Sequence, residues 1–76
     1  MPKIAPIPPQ IIIKFLESLG FAKTRQKGSH IFFRHDDGRT TTVPYHKGEE
    51  LKIGIVSDIL KNIKVDKAIF EEWLGR

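Results

Sequence analysis

Residues 27–33 of this chain read KGSHIFF, and this stretch decides how the chain folds. It places His30 at the start of a strand, directly after a glycine turn and with basic residues on both sides. A glycine turn between two extended segments is typical of a hairpin. We therefore predict a first strand over residues 21–26, a turn at Lys27-Gly28, and a second strand over residues 29–35.

A third strand follows the second almost at once. Asp37-Gly38 is a strong signal for a two-residue hairpin turn, and residues 39–45 after it are rich in β-branched side chains. Pro44 has no N–H group to donate, so it belongs near a strand end or on a sheet edge. The sequence thus predicts a three-stranded antiparallel sheet.

Apolar residues at helical spacing lie on both sides of the three strands. Before them we predict a helix over residues 10–19, which Gly20 ends as a C′ glycine. After them a second helix covers about residues 52–62, and a short third helix follows Asp66, which stands where an N-cap is expected. The apolar residues of the three helices are Ile12, Phe15, Leu16 and Leu19; Ile55, Val56, Ile59, Leu60 and Ile63; and Ile69, Phe70, Trp73 and Leu74.

The order of these elements defines the expected fold class. One helix, three antiparallel strands and two further helices predict an α+β fold, a two-layer sandwich with the helices on one face of the sheet. This is the order of a double-stranded-RNA-binding domain. Residues 1–9 contain four prolines and are expected to form an extended N-terminal arm, and residues 10–76 a single domain.

Length and composition narrow the possible functions. The chain has 76 residues, enough for one small domain. It has no cysteine, which excludes disulfides and thiolate metal sites and fits a reducing cytoplasm. No apolar run approaches the roughly 18 residues of a membrane span, and residues 1–9 do not have the pattern of a signal peptide. The net charge of +4 favours an anionic partner, nucleic acid first.

The two faces of the predicted sheet differ in chemistry. Pairing the strands through two short turns brings Arg25, His30 and Tyr45 level, and also Lys23, Phe32 and Val43. These six share a face with Arg34 and Thr41, and the other face carries Ala22, Thr24, Ile31, Phe33, Thr40 and Thr42. We assign the second face to the helices because it holds no Lys or Arg. The first face mixes cations with aromatic rings, as nucleic-acid surfaces often do, and His30 is expected to stay accessible there.

His30 is the strongest candidate for a catalytic side chain, because imidazole exchanges a proton near neutral pH. Around it, glycine allows a close backbone approach, a serine hydroxyl can bind phosphate or the turn, and cations can neutralise charge on a phosphate. The candidate RNA-binding residues are Arg25, Lys27, Gly28, Ser29 and Arg34. On the short pattern alone, a plain hairpin glycine and an ordinary polar strand residue are favoured over a catalytic site.

Two further residues are candidates for a supporting role. His46 follows Pro44-Tyr45, and the predicted register places it and Tyr45 near His30, which would allow a pair of histidines. The alternative is that His46 fixes the loop before the second helix. His35 is expected to be an unremarkable exposed residue beside a turn. We expect no metal site and no small-molecule cofactor, because the histidine spacing and the acidic residues do not form a ligand set.

Three motifs together carry a family resemblance. GSH at residues 28–30, DGR at 37–39 and VPYHKGEELKIG at 43–54 closely resemble the HicA family of small toxins, and the combined pattern covers about residues 10–64. The resemblance implies a double-stranded-RNA-binding-like fold and an mRNA interferase, either ribosome-dependent or free, which a HicB antitoxin neutralises. It also implies that His30 is the catalytic histidine. Residues 55–58 depart from the polar and basic helix start that the family often has.

The resemblance implies a type II toxin that cuts mRNA. Without a metal site, the expected chemistry is attack of a ribose 2′-OH on the neighbouring phosphate while His30 shuttles a proton. The expected partners are mRNA and a HicB-like antitoxin, with no membrane. Two alternatives remain, since a fold does not fix a function. One is a non-catalytic RNA-binding module of the same fold, and the other is a protein-interaction module whose basic face meets an acidic partner.

Overall fold

A computed structural model describes residues 6–75 of the chain. The predicted α+β class and the order of elements are confirmed, with a three-stranded antiparallel sheet and helices before and after it. Residues 1–5 of the expected arm lie outside the described residues. The elements are α1 (Pro9–Ser18), β1 (Ala22–Lys27), β2 (His30–Arg34), β3 (Thr40–Pro44), α2 (Ile53–Asn62) and α3 (Lys67–Leu74).

The sheet has the order β1-β2-β3, and the helices cover one face of its β2–β3 half. Side chains alternate along β2 and β3, as they must on a pleated sheet. Ile31 and Phe33 are buried, as predicted, and so are Thr41 and Val43. All six residues of β1 are exposed, so this strand extends beyond the helical layer.

The predicted register of β3 is wrong by one residue. Pro44, and not Tyr45, lies opposite His30, and Val43 lies opposite Ile31. The cause is the length of the connection. The His35 N–H donates to the Arg39 carbonyl (2.9 Å), which leaves a three-residue loop where a two-residue turn was expected. A one-residue slip moves every side chain of a strand to the other face.

This slip corrects the predicted faces of β3. Val43 was expected on the open side, with Phe32, but it is fully buried in the core. Thr41 is also buried, and Thr40 and Thr42 take the open side that the prediction gave to Thr41 and Val43. The core therefore gains a β-branched apolar residue.

The register of β1 also differs from the prediction. The turn consists of Gly28 and Ser29, so Lys27 lies opposite His30 and Arg25 lies opposite Phe32. A β-bulge between Lys23 and Arg25 then turns Lys23 to the side of Phe33. On that side the Lys23 ammonium bonds the amide oxygen of Gln26 (3.2 Å). Lys23 therefore does not belong to the same face as Arg25 and His30.

Most apolar residues predicted for α1 and α2 are buried, whereas Ile69 and Trp73 of the predicted third helix are 50% and 40% exposed. Ile12, Phe15 and Leu16 of α1 and Val56, Ile59 and Leu60 of α2 are buried. Ile55 was expected on the buried side of α2, but 37% of its surface is exposed.

The C-terminal helix α3 and the segment before α1 complete the core. Phe70 of α3 packs on Phe15, with ring centroids 4.8 Å apart. Asp66 occupies the N-cap position of α3 as predicted, although its carboxylate makes no capping hydrogen bond within the described chain. Ile7 is buried and pairs with Leu51 through two backbone hydrogen bonds, so the segment before α1 is tied to the segment before α2.

Candidate nucleic-acid interface

The face of the sheet that the helices leave uncovered carries most of the predicted site. We call it the open face. Residues directly opposite each other on neighbouring strands share a face, and this assigns to it Ala22, Arg25, Lys27, His30, Phe32, Arg34, Thr40, Thr42 and Pro44. It holds three cations and one aromatic ring around His30. The structure thus places Arg25, His30 and Arg34 on one face, as the sequence predicted, and adds Lys27, which was expected in the turn.

Arg25 and Phe32 form the centre of the open face. The guanidinium carbon of Arg25 lies 4.7 Å from the centroid of the Phe32 ring, the geometry of a cation–π contact. A depression of about 370 Å³ runs past this pair toward Arg34 and Thr42. An aromatic ring can stack on a nucleic-acid base, and the planar guanidinium beside it can bind a phosphate.

His30 stands at one end of this face, where β2 begins. Its side chain is exposed, whereas the next residue, Ile31, is buried. Within residues 6–75 the His30 ring makes no hydrogen bond and no ion pair. Lys27 lies opposite it on β1. The imidazole is therefore accessible to a substrate and has a cation on the adjacent strand.

The Gly28-Ser29 turn holds His30 in this place. Gly28 has φ +58°, a value that side-chain-bearing residues rarely adopt, at the first of the two central positions of the hairpin. The carbonyls of both turn residues are occupied, because the Gln26 amide donates to Gly28 (3.2 Å) and the Tyr45 N–H donates to Ser29 (2.6 Å). A Cβ atom on Gly28 would meet nothing within 4 Å, so the turn faces open space.

Tyr45 supports this turn in a way that differs from the prediction. It lies one residue beyond β3 and is half-buried against the core. Its backbone bonds Ser29, and its phenol oxygen accepts a hydrogen bond from the Gln10 amide of α1 (2.8 Å). Tyr45 therefore joins the turn to α1, and it is not level with His30.

His46 is exposed in the loop after β3. It lines a cleft of about 230 Å³ together with Pro44, Leu51 and Ile55. A second cleft, on which His30 lies, shares Pro44 and Ile55 with the first. No hydrogen bond joins the two histidine rings in the described chain, so the pair considered from the sequence is not formed directly.

The second cleft, which we call the His30 cleft, includes residues that sequence reasoning missed. It has a volume of about 210 Å³ and lies between β3 and α2. Its walls are His30, Thr42, Pro44, Ile55, Asp58, Ile59 and Asn62. The helical periodicity of α2 showed which side is apolar, but it could not show that the flank of α2 reaches past the β3 edge to His30.

His35 is not the unremarkable exposed residue that was expected. Its Nε2 lies 3.1 Å from the Leu19 carbonyl, and its Nδ1 accepts a hydrogen bond from the Asp37 N–H (3.0 Å). The Nε2–H tautomer satisfies both contacts, because Nε2 then donates and Nδ1 accepts. This histidine fastens the β2–β3 loop to the end of α1, and its role is structural.

Arg39 completes this fastening. Its guanidinium bonds the carboxylate of Asp37 (2.8 Å) and the carbonyl of Ile63 at the end of α2, and it lies 5.1 Å from the centroid of the Phe21 ring. The hydrogen bond from the Arg39 backbone N–H, aided by the guanidinium, holds the pKa of Asp37 below its ordinary value. The loop that sets the register of β3 is thus anchored to both long helices.

The described residues provide neither a cluster of metal ligands nor a membrane-spanning helix. Across residues 6–75, no three His, Asp or Glu side chains gather in a group that could ligate a metal ion. The helices of that region are also too short and too polar for any of them to cross a membrane.

Fold and surface together define a small basic α+β domain with an accessible histidine on an open, cationic sheet face. A family model described as "HicA toxin of bacterial toxin-antitoxin" matches residues 10–65. The chain therefore belongs to the HicA toxin family, the toxin half of a toxin–antitoxin system, and such a system includes an antitoxin partner. A comparison with curated proteins found no match.

Proposed function

We propose that this toxin is an endoribonuclease that cuts mRNA, with His30 as the catalytic acid and base. The observation that carries the proposal is the position of His30, exposed at the edge of the open face and opposite Lys27. Membership of the HicA family makes the protein a toxin. The cations of the open face would bind the phosphates of RNA. An imidazole side chain can take up and release a proton near neutral pH, which suits acid–base catalysis at cellular pH.

The reaction is an internal transfer at one phosphodiester. His30 removes the proton from a ribose 2′-OH, and the 2′ oxygen attacks the adjacent phosphorus. The bond from phosphorus to the 5′ oxygen of the next nucleotide breaks, and the His30 imidazolium returns the proton to that oxygen. The products are a 2′,3′-cyclic phosphate and a 5′-hydroxyl end, so protons and bonds balance without another reactant.

The cations of the open face stabilise the charge that develops in this step. Lys27 is nearest in the sheet to His30, and Arg25 and Arg34 lie farther along the same face. A phosphate gains negative charge as the 2′ oxygen attacks it, so fixed cations lower the barrier. Gly28 is exposed, so the RNA backbone can approach the turn there, and the hydroxyl of the half-buried Ser29 is a donor for a phosphate oxygen.

His46 and Tyr45 have different places in this proposal. Tyr45 positions the turn through its hydrogen bonds to Ser29 and Gln10. His46 lies in the neighbouring cleft, and we assign it no proton transfer. His46→Ala is therefore expected to change the affinity for RNA more than the rate of the chemical step. A loss of the step equal to that in His30→Ala would make His46 the second proton carrier.

A non-catalytic RNA-binding module of the same fold is the second candidate. The contact between Arg25 and Phe32 favours it, because a stacked cation and ring bind RNA without any catalytic group. The two candidates differ in what His30 does. Loss of cleavage with RNA binding retained in His30→Ala supports the enzyme, and an intact protein that binds RNA without cutting it supports the module.

The first test uses growing cells. The intact protein and His30→Ala are induced to equal levels, and growth and RNA integrity are followed. Arrested growth with fragmented mRNA in the intact case alone is the expected result. A matched control is Thr40→Ala, which alters an exposed residue of the open face at the end away from His30. Equal toxicity of the intact and His30→Ala proteins would reject the proposed catalytic role.

A further inference from the structure

The His30 cleft is small and combines apolar with polar walls. Its volume of about 210 Å³ is below the range of roughly 300–1,000 Å³ typical of sites for larger organic ligands. It opens beside the proposed catalytic imidazole, between the open face and α2. A nucleotide whose phosphate lies at His30 could place its base here.

The walls of the cleft are apolar on one side. Pro44 of β3 and Ile55 and Ile59 of α2 supply this side. Ile55 is 37% exposed, whereas Ile59 of the same helix is 1% exposed. A base that is taken out of its stack can pack against apolar side chains of a pocket. A bound base would therefore cover the apolar surface that Ile55 leaves open.

Among the polar side chains of the cleft, only the Asp58 carboxylate is restricted to accepting hydrogen bonds. When it is ionised, the Asp58 carboxylate can accept hydrogen bonds but cannot donate them. It makes no hydrogen bond or ion pair within the described chain. The Asn62 amide uses one N–H of Nδ2 to bond the Thr41 hydroxyl (3.2 Å), so its carbonyl oxygen and its second N–H are left for a ligand. Thr42 adds a hydroxyl that can act either way.

The charge of Asp58 also indicates which part of the RNA enters. A carboxylate repels phosphate, and the cations that attract phosphate lie on β1 and β2, at Arg25, Lys27 and Arg34. The RNA backbone is therefore expected on the cationic side of His30, and a base on the Asp58 side.

We propose that the His30 cleft binds the base next to the cut and selects an amino-bearing base against uracil, with Asp58 as the residue that sets this preference. The proposal rests on the proposed function of His30. Cytosine, adenine and guanine each present an amino group that donates to a carboxylate. Uracil presents a carbonyl oxygen where cytosine has its amino group, and that oxygen would face the carboxylate of Asp58 unpaired.

Cytosine and uracil provide the sharpest test, since they are the same size and differ at this amino group. Binding of short oligocytidine and oligouridine is measured with the His30→Ala protein, which keeps both RNAs intact. We expect oligocytidine to bind about tenfold more tightly. Asp58→Asn in the same background supplies an amide that can donate to uracil, so the preference should fall to near unity.

Asp36→Asn is the matched control, because it makes the same charge change at an exposed loop residue outside the cleft. It should leave the preference for cytosine unchanged. Equal binding of the two RNAs, or a preference that survives Asp58→Asn, would overturn the proposal. An equal gain or an equal loss of affinity for both RNAs in Asp58→Asn would also overturn it, because the carboxylate would then act only through net charge or through stability.

Cleavage by the protein with His30 intact separates this proposal from the proposed function. Mapped cuts in a random RNA should be depleted of uracil at one flanking position, and Asp58→Asn should remove the depletion. Cuts without any base bias would reject the base site and leave the nuclease standing. Selective binding of oligocytidine by a protein that cuts no RNA would reject the nuclease and leave the base site standing.

Discussion

Gly28 is the residue on which the position of His30 depends most directly. Its φ of +58° lies in the left-handed region, and it begins the two-residue turn before His30. Gly28→Ala is expected to lower the free energy of unfolding by about 1–2 kcal/mol, because a Cβ atom is strained in that region. Urea denaturation measures this change.

Gly54 is the matched control for that substitution. It lies in the first turn of α2, it has no positive φ, and a Cβ atom there would meet nothing within 4 Å. Gly54→Ala should therefore stabilise the protein, by up to about 1 kcal/mol, because alanine favours a helix. Equal effects of the two substitutions would contradict the assigned role of Gly28.

Asp37 gives the protein a pH dependence of stability whose sign can be stated. Its pKa is lowered from the ordinary value of 3.8, chiefly by the hydrogen bond from the Arg39 N–H. A lowered pKa in the folded state means that the contribution is present above the ordinary pKa and is lost as pH falls through the folded pKa. Asp37→Asn should thus destabilise the protein more at pH 7 than under strongly acidic conditions.

The pH dependence is measured by urea denaturation of the intact protein and the variant at about pH 7 and again well below the ordinary aspartate pKa. Asp36→Asn is the control, because the Asp36 side chain takes part in none of the hydrogen bonds of this loop. A difference between the intact protein and Asp37→Asn that stays the same at both pH values would show that the carboxylate charge does not stabilise the loop.

At the scale of the elements, α1 and α2 are held mainly by their buried stripes. Phe15 is 1% exposed and Leu60 is 2% exposed. Phe15→Ala and Leu60→Ala should each lower the free energy of unfolding by about 2–5 kcal/mol, since each leaves a cavity. Ile53→Ala in α2 is the control, because Ile53 is 49% exposed and should cost far less. The change is measured by urea denaturation. If the denaturation midpoint of Phe15→Ala or Leu60→Ala equalled that of Ile53→Ala, the corresponding helix would not be held by the stripe assigned to it.

The strands also show which parts of the fold could be predicted from the sequence. The faces of β2 were predicted correctly, because period-two alternation at Ile31 and Phe33 does not depend on a neighbour. The face of β3 depended on the loop before it, and one extra loop residue at Asp36 reversed it. The bulge beside Lys23 gave no distinct sequence signal.

The candidate site was predictable to a similar degree. Arg25, Lys27, His30 and Arg34 share a face because Lys27 and Arg25 are two residues apart in β1, and His30 and Arg34 lie four apart in β2. Asp58 was not found, because its distance from His30 is set by how α2 crosses the β3 edge. That crossing is a tertiary feature, and the apolar periodicity of α2 carries no information about it.

At the scale of the whole molecule, the protein has a net charge of +4, and the open face holds three cations and no acidic residue. RNA affinity should fall steeply with salt, because bound cations release counterions from phosphates. Replacing Arg25, Lys27 and Arg34 together by Ala should reduce the slope of log affinity against log salt by about 2, at roughly 0.7 per phosphate contact on single strands.

The control for the salt experiment removes the same charge from the helices. Lys14, Lys61 and Lys67 are exposed residues of α1, α2 and α3. Changing these three to Ala should leave the salt slope close to that of the intact protein. A slope that changes only with the helical lysines would place the RNA on the opposite side of the molecule.

The antitoxin is expected to cover the open face, since this blocks both RNA binding and His30. Phe32 is half-exposed among cations, so it can act as an apolar anchor for a partner with acidic groups around it. Val43, which the predicted register would have exposed beside it, is buried and takes no part. Hydrogen exchange of the purified complex should show protection of residues 25–35. Protection confined to residues 66–75 would indicate inhibition from a distance.

The most direct test of the account is the single-turnover rate at which purified protein cuts one RNA in the presence of a chelator. The intact protein and His30→Ala are compared at equal RNA occupancy, with the fold of each checked by circular dichroism. We expect the intact protein to leave 2′,3′-cyclic phosphate ends, and His30→Ala to bind the RNA without cutting it. Cleavage by His30→Ala at the rate of the intact protein would show that His30 is not the catalytic group.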